Sequence, residues 1–143
     1  MRDTVRDANS LNEVRDRLAQ MFAGVRQGET MTKIGYVSGI ISSDGPDHIQ
    51  DNLKRLEEHA ERIRMREQIA IFSPVDVFDD QLYARLNAAQ IPQINWQNFW
   101  REVLELGYVT DIFMTPRWKI SSGSTDEHET AARLGIKIHY ESE

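Results

Sequence analysis

Two hydrophobic periods alternate along the chain. Leu11, Val14, Leu18, Met21 and Val25 recur at steps of three and four residues, the narrow apolar stripe of an amphipathic helix. Ser10 and Glu13 read as its capping box and Gly28 as its stop, which predicts a helix over about 10–27. Residues 33–38 form a strand-length apolar run, followed by a Gly/Ser-rich loop, Gly39 to Pro46. Ile49, Leu53, Leu56, Ala60 and Ile63 then give a helix over about 46–67. Its other side, with Lys54, Arg55, Glu57 and Glu58, reads as a solvated face rather than a binding site. Residues 68–74 predict a second strand ended by Pro74. The stretch 75–94 reads as irregular around a short helix at 79–86, with the length of a lid or specificity segment. Trp96, Trp100, Val103 and Gly107, with Phe99 and Leu106 beside them, line one side of a helix over 95–107. Two Trp residues at that spacing read as core or interface before they read as a base-stacking platform. A strand at 108–114, a polar loop, a short helix stopped by Gly135 and a last alternating strand at 136–140 complete the chain.

Strands alternating with helices predict an α/β fold of flavodoxin-like or Rossmann-like type. It would have a parallel sheet of four or five strands, helices on both faces and an added N-terminal helix. At 143 residues there is room for one domain. Residues 33–143 are expected to form it, with 1–32 a helical extension that docks on the domain or on a second copy. Alternatively, Met31 is the natural start. The composition is that of an ordinary globular protein, with 40% hydrophobic and 28% charged residues. A net charge of −6 argues against a nucleic-acid polymer as partner, while leaving room for a single nucleotide held locally. The absence of Cys removes disulfides, thiolate chemistry and Cys-based metal sites. No apolar run has membrane-spanning length and the start is not signal-like, so the expectation is a cytoplasmic protein without membrane contact. His48, His59, His128 and His139 lack metal-ligand spacing and read as surface or capping residues.

The candidate chemistry gathers at the two loops that follow the first and third strands. Ser121, Ser122, Gly123, Ser124 and Thr125 lead into a helix start, the composition of an anion cradle built from hydroxyls and free amides. Glu127 is placed in that helix's first turn, where the dipole favours the ionised carboxylate and suits a nucleophile. Ser124 and Glu127 also fit a capping box. Against that, Glu127, Ala131 and Leu134 share one helix face, which turns the carboxylate toward the sheet and its cleft. The first loop has neither a Walker element nor a Gly-x-Gly-x-x-Gly fingerprint. Asp76, Asp79 and Asp80 read as ordinary surface acids.

Trp118, Ser121, Gly123, Glu127, Ala131 and Gly135, together with Tyr36-Val37-Ser38-Gly39, resemble the signature of the nucleoside 2-deoxyribosyltransferase superfamily, in its small phage and bacterial branch. The resemblance spans about residues 33–140 and is specific at its two ends. It implies that Glu127 is a nucleophile and that Tyr36, Ser38, Gly39, Trp118, Ser121 and Gly123 bind substrate. It further implies a nucleoside or nucleoside 5′-monophosphate as ligand, no cofactor, no metal, and a homo-oligomer. The expected function is N-glycosidic bond cleavage or transfer through a covalent glycosyl-enzyme. The family's Asp, eight residues before the Asp of the next strand, corresponds here to Val103. The adjacent Glu102 is the candidate second acid. The alternative is a nucleotide-binding module without turnover.

Overall fold

The structure, a computed structural model, describes residues 2–26, 33–88 and 91–142. The expected stop at Gly28 and the alternative start at Met31 lie outside the described residues. Four strands, β1 (Ile34–Ser38), β2 (Ala70–Phe72), β3 (Asp111–Met114) and β4 (Lys137–Tyr140), form one sheet in the order β2-β1-β3-β4. All three pairings are parallel. Parallel neighbours need helical crossovers, and those here lie on both faces. The fold is therefore α/β and flavodoxin-like, with its switch point between the carboxyl ends of β1 and β3.

Strand alternation divides the core in two. Val37 and Phe113 face α3 (Ile49–Arg66) and pack on Leu56, Ala60 and Ile63. Ile34, Tyr36, Ile112 and Met114 face the opposite way. They join α2 (Leu11–Arg26), α6 (Gln93–Glu105) and α7 (Ser122–Leu134) in the larger cluster. Within it α2 contributes Val14, Leu18 and Phe22, all fully buried, so the N-terminal helix is seated in the main core. Trp100 is buried there too, stacked on Tyr36 at 5.2 Å. Both surfaces considered for oligomer contacts are thus largely occupied within the protomer. The start of α2 also departs slightly from the expected box. Ser10 accepts from the Glu13 amide, but Glu13 reaches back to the Asn9 amide.

The stretch after β2 is more ordered than its sequence implies. Ser73 and Asp76 cap α4 (Pro74–Val77), with Pro74 in the first turn where a missing N–H costs nothing. Asp79 caps α5 (Asp80–Asn87) by accepting from the Leu82 amide. Val77, Leu82 and Leu86 are buried in the larger core, and Phe78 packs edge-on against Trp96 and Phe99. The described part of this segment is core structure rather than an irregular lid. A four-residue helix, α1 (Arg2–Val5), precedes α2. Among the described residues no helix is long and apolar enough to cross a membrane.

Candidate active site

The end of β1 and the start of α7 meet across the switch point. Gly39 sets how closely. A Cβ on it would stand 2.3 Å from Thr115 Oγ1, while that hydroxyl and the Thr115 amide both donate to the Ser38 carbonyl, at 2.9 and 3.0 Å. Only glycine allows the strand ends to be tied this tightly. Ser38 is fully buried and points to the α7 side of the sheet, where its hydroxyl lies 2.7 Å from Glu127 Oε1 and 3.0 Å from Ser124 Oγ.

Three residues fix where Glu127 sits. Ser121, rather than Ser124, is the N-cap of α7, its hydroxyl accepting from the Ser124 amide at 3.1 Å. The helix therefore begins at Ser122 and carries Glu127 in its second turn, not its first. Ser124 and Glu127, three residues apart, share the face turned to β1. The capping-box reading of Ser124 and Glu127 falls with this shift, because Glu127 bonds a strand side chain instead of an orphan amide. Gly135, at φ 75°, closes the helix in the left-handed conformation expected of a glycine stop.

Burial, not the helix dipole, sets the charge state. Glu127 is 6% exposed, and its pKa is pushed up to about 7. Desolvation is the main cause, opposed by the Ser38 and Tyr36 hydroxyls and reinforced weakly by Asp126. Among the described residues no Lys, Arg or His pairs with it; the nearby Asp126 is taken by Arg101 at 2.7 Å. Tyr36 is 1% exposed, and burial followed by the Glu127 charge holds its hydroxyl well above the usual phenol range. That hydroxyl is near enough to feel the carboxylate, yet it completes no hydrogen bond. A hydroxyl has one proton to give, so the ring of contacts has a direction. With Glu127 ionised, Ser38 donates to it and Ser124 donates to Ser38. With Glu127 protonated, the direction reverses.

The expected site residues separate into two groups. Tyr36, Ser38, Ser121, Gly123 and Glu127 converge, and Ser124, read in sequence as a cap and a hydroxyl of the anion cradle, belongs with them. Its three-residue spacing from Glu127 is the signal that identifies it. Gly123 lies in the first turn of α7; a Cβ there would be an ordinary 3.9 Å from Glu127 Oε2, so hydrogen leaves a gap beside the carboxylate. Gly39 instead lines a cavity on the α3 side of the sheet. Trp118 stacks flat on His128 at 4.3 Å, and His128 bonds the Tyr140 hydroxyl at 2.7 Å. Since His128 points about 100° away from Glu127 around the helix, Trp118 packs toward β4 and does not wall the carboxylate. Glu102 is also turned away. Gln97, Arg101 and Glu105 contact α7, whereas Glu102, about 100° from Arg101, pairs with Arg15 of α2 at 2.7 Å. The candidate second acid is an interhelix ion-pair partner.

The anion cradle is largely filled by the protein itself. The Ser122 amide donates to Ser43 Oγ of the first loop at 3.1 Å, and the Ser124 amide to Ser121. The two loops do share one edge, joined by that Ser43 contact. Away from this edge, His139, read as a surface residue, bonds Asp111 at 2.8 Å and stacks on Phe113. Comparison of the chain with protein-family models, with curated proteins and with solved structures finds no match.

Proposed function

We propose that this protein cleaves or exchanges the N-glycosidic bond of a nucleoside or nucleotide, with Glu127 as nucleophile. The observation that carries the reading is a carboxylate buried without a cationic partner at the carboxyl edge of the sheet's switch point. Such a group costs the fold stability when ionised, and buried carboxylates perturbed in this way concentrate at functional sites. Among the described residues its hydrogen-bond partner is the Ser38 hydroxyl and not a cation, so it keeps a nucleophilic lone pair that a guanidinium would neutralise.

In the proposed reaction the ionised Glu127 attacks the anomeric carbon. The C–N bond breaks with its electron pair leaving on the base, which takes a proton from solvent. A glycosyl ester on Glu127 then passes to a second base or to water, regenerating the carboxylate. Ser38 orients the attacking oxygen, and Tyr36, braced by Trp100, favours its ionised form. The gap beside Gly123 gives the sugar an approach. Only the ionised form attacks, so turnover rises with pH through about 7.

One observation favours a second reading, a nucleotide-binding module without turnover: Glu102 is engaged with Arg15, and no other carboxyl among the described residues is placed beside Glu127 to protonate a departing base. A chromatographic panel separates the two. The protein is mixed with each common nucleoside, deoxynucleoside and 5′-monophosphate, with and without a second free base. Free base or a new nucleoside, abolished in Glu127→Gln, supports the enzyme. Ligands that raise the melting temperature without product support the module.

A further inference from the structure

The sequence predicts an anion cradle at the N-terminus of α7, but the Ser122 and Ser124 amides there are engaged by Ser43 and Ser121. Two arginines without a carboxylate or carbonyl partner lie on another helix, α3. Of the arginines whose side chains are described, Arg55 and Arg62 alone have neither a carboxylate nor a carbonyl partner among the described residues. Arg55, His59 and Arg62 sit at i, i+4 and i+7, on one face of α3, and Arg62 contacts the His59 ring at 2.9 Å.

That face opens on a cavity. About 40 Å³ in volume, it lies at the carboxyl ends of β1 and β3 on the side of the sheet away from Glu127. Arg55 and His59 line it from α3, Gly39 from the first loop, and Thr115 and Arg117 from the loop after β3. The volume holds about three water centres, enough for one small tetrahedral anion. Arg117 is the one non-glycine residue with positive φ among the described residues, at 69°. A left-handed arginine is uncommon and costs backbone energy, and it occurs here where two sheet-end loops face a cavity. Among the described residues its only carboxylate contact is a loose one, 3.4 Å to Asp44. Asp44 in turn accepts from Asn52 at 2.8 Å, so Asn52 is occupied and supplies no donor to the cavity.

We propose that this cavity is a binding site for a phosphoryl oxyanion, free or esterified, gripped by the guanidinium groups of Arg55 and Arg117 with His59 beside them. Planar guanidinium forks suit phosphate oxygens, and an anion would give Arg55 the counter-charge it lacks. The site stands apart from the Glu127 chemistry. Its occupancy is measured by binding, so it survives or fails independently of turnover.

The test uses the whole chain. Inorganic phosphate is titrated at constant ionic strength against chloride, by melting temperature and by calorimetry. The proteins are the native chain, Arg55→Gln/Arg117→Gln, and Arg133→Gln as a control for lost positive charge on a distant helix. Phosphate should stabilise the native protein and the control beyond chloride. Its affinity should fall by about tenfold or more in the double variant. Equal effects of phosphate and chloride, or unchanged phosphate affinity in a folded double variant, would overturn the proposal. A second titration, with a nucleoside and its 5′-monophosphate on the phosphate-saturated protein, identifies the source of the phosphoryl group. Displacement by the monophosphate alone assigns the site to a nucleotide's phosphoryl group; a monophosphate that leaves phosphate in place assigns it to free phosphate.

Discussion

Replacing Glu127 by Gln should make the protein more stable while removing its activity, and only where the glutamate is ionised. A carboxyl whose folded pKa is raised holds its proton in the native state after the unfolded chain has released it. Stability therefore falls as pH rises from the ordinary value of 4.5 to about 7, and the full penalty is present above that. At about 1.4 kcal/mol per tenfold change in proton affinity, the penalty is roughly 3 kcal/mol. Glutamine keeps the shape and an oxygen that accepts from Ser38, but it has no charge to desolvate. At pH 8 Glu127→Gln should gain about 2–3 kcal/mol, a rise in Tm of roughly 10 °C for a domain of this size. At pH 4.5 the two proteins should melt together. Urea denaturation of both proteins from pH 4 to 9 reads the difference directly. A gain independent of pH, or a loss of stability at pH 8, would refute the claim that desolvation of an unpaired charge dominates this site.

Ser38→Ala removes the donor that most favours the ionised carboxylate, so the pH midpoint of turnover should move above about 7, read from a pH–rate profile. Gly39→Ala sets a methyl 2.3 Å from Thr115 Oγ1 and should cost about 1–3 kcal/mol in denaturant melts. Thr115→Ala in the same chain should recover part of that loss, a coupling that a double-mutant cycle measures. At Asp111, burial raises the pKa, yet bonds from His139 and Thr110 together outweigh it and hold the carboxyl below its ordinary value. Its contribution is present above pH 3.8 and lost as pH falls below it, so Asp111→Asn should lower Tm at neutral pH and converge with the native protein in acid.

The elements that sequence resolves best are those whose apolar residues repeat with a single period. The stripe Leu56, Ala60 and Ile63 and the buried run Asp111–Met114 emerge at their observed places. Boundaries depend on which of several equivalent residues takes a role. Ser121, Ser122 and Ser124 can each cap a helix, and the structure's use of Ser121 moves Glu127 one turn inward, away from the helix dipole and under a protein lid of hydroxyls. The Ser73-Pro74 pair reads as a strand stop, and it is equally the start of α4. Contacts between distant elements are not legible at all. Glu102 looks like an acid near the site until Arg15 of α2 is found beside it, and the sequence does not show that Arg55 of α3 and Arg117 of the loop after β3 line one cavity. Local pattern points to Glu127 and its loop; only tertiary packing shows what surrounds the carboxylate.

The proposed function turns on a covalent bond between Glu127 and a sugar. Intact-protein mass spectrometry tests it after incubation with nucleosides and 5′-monophosphates carrying fluorine at C2′, which slows breakdown of a glycosyl ester by disfavouring its oxocarbenium-like transition state. The account predicts a mass gain equal to the sugar without its base, mapped to the peptide containing Glu127 and absent in Glu127→Gln. Release of free base with no adduct on that peptide, or an adduct that persists in Glu127→Gln, would contradict it.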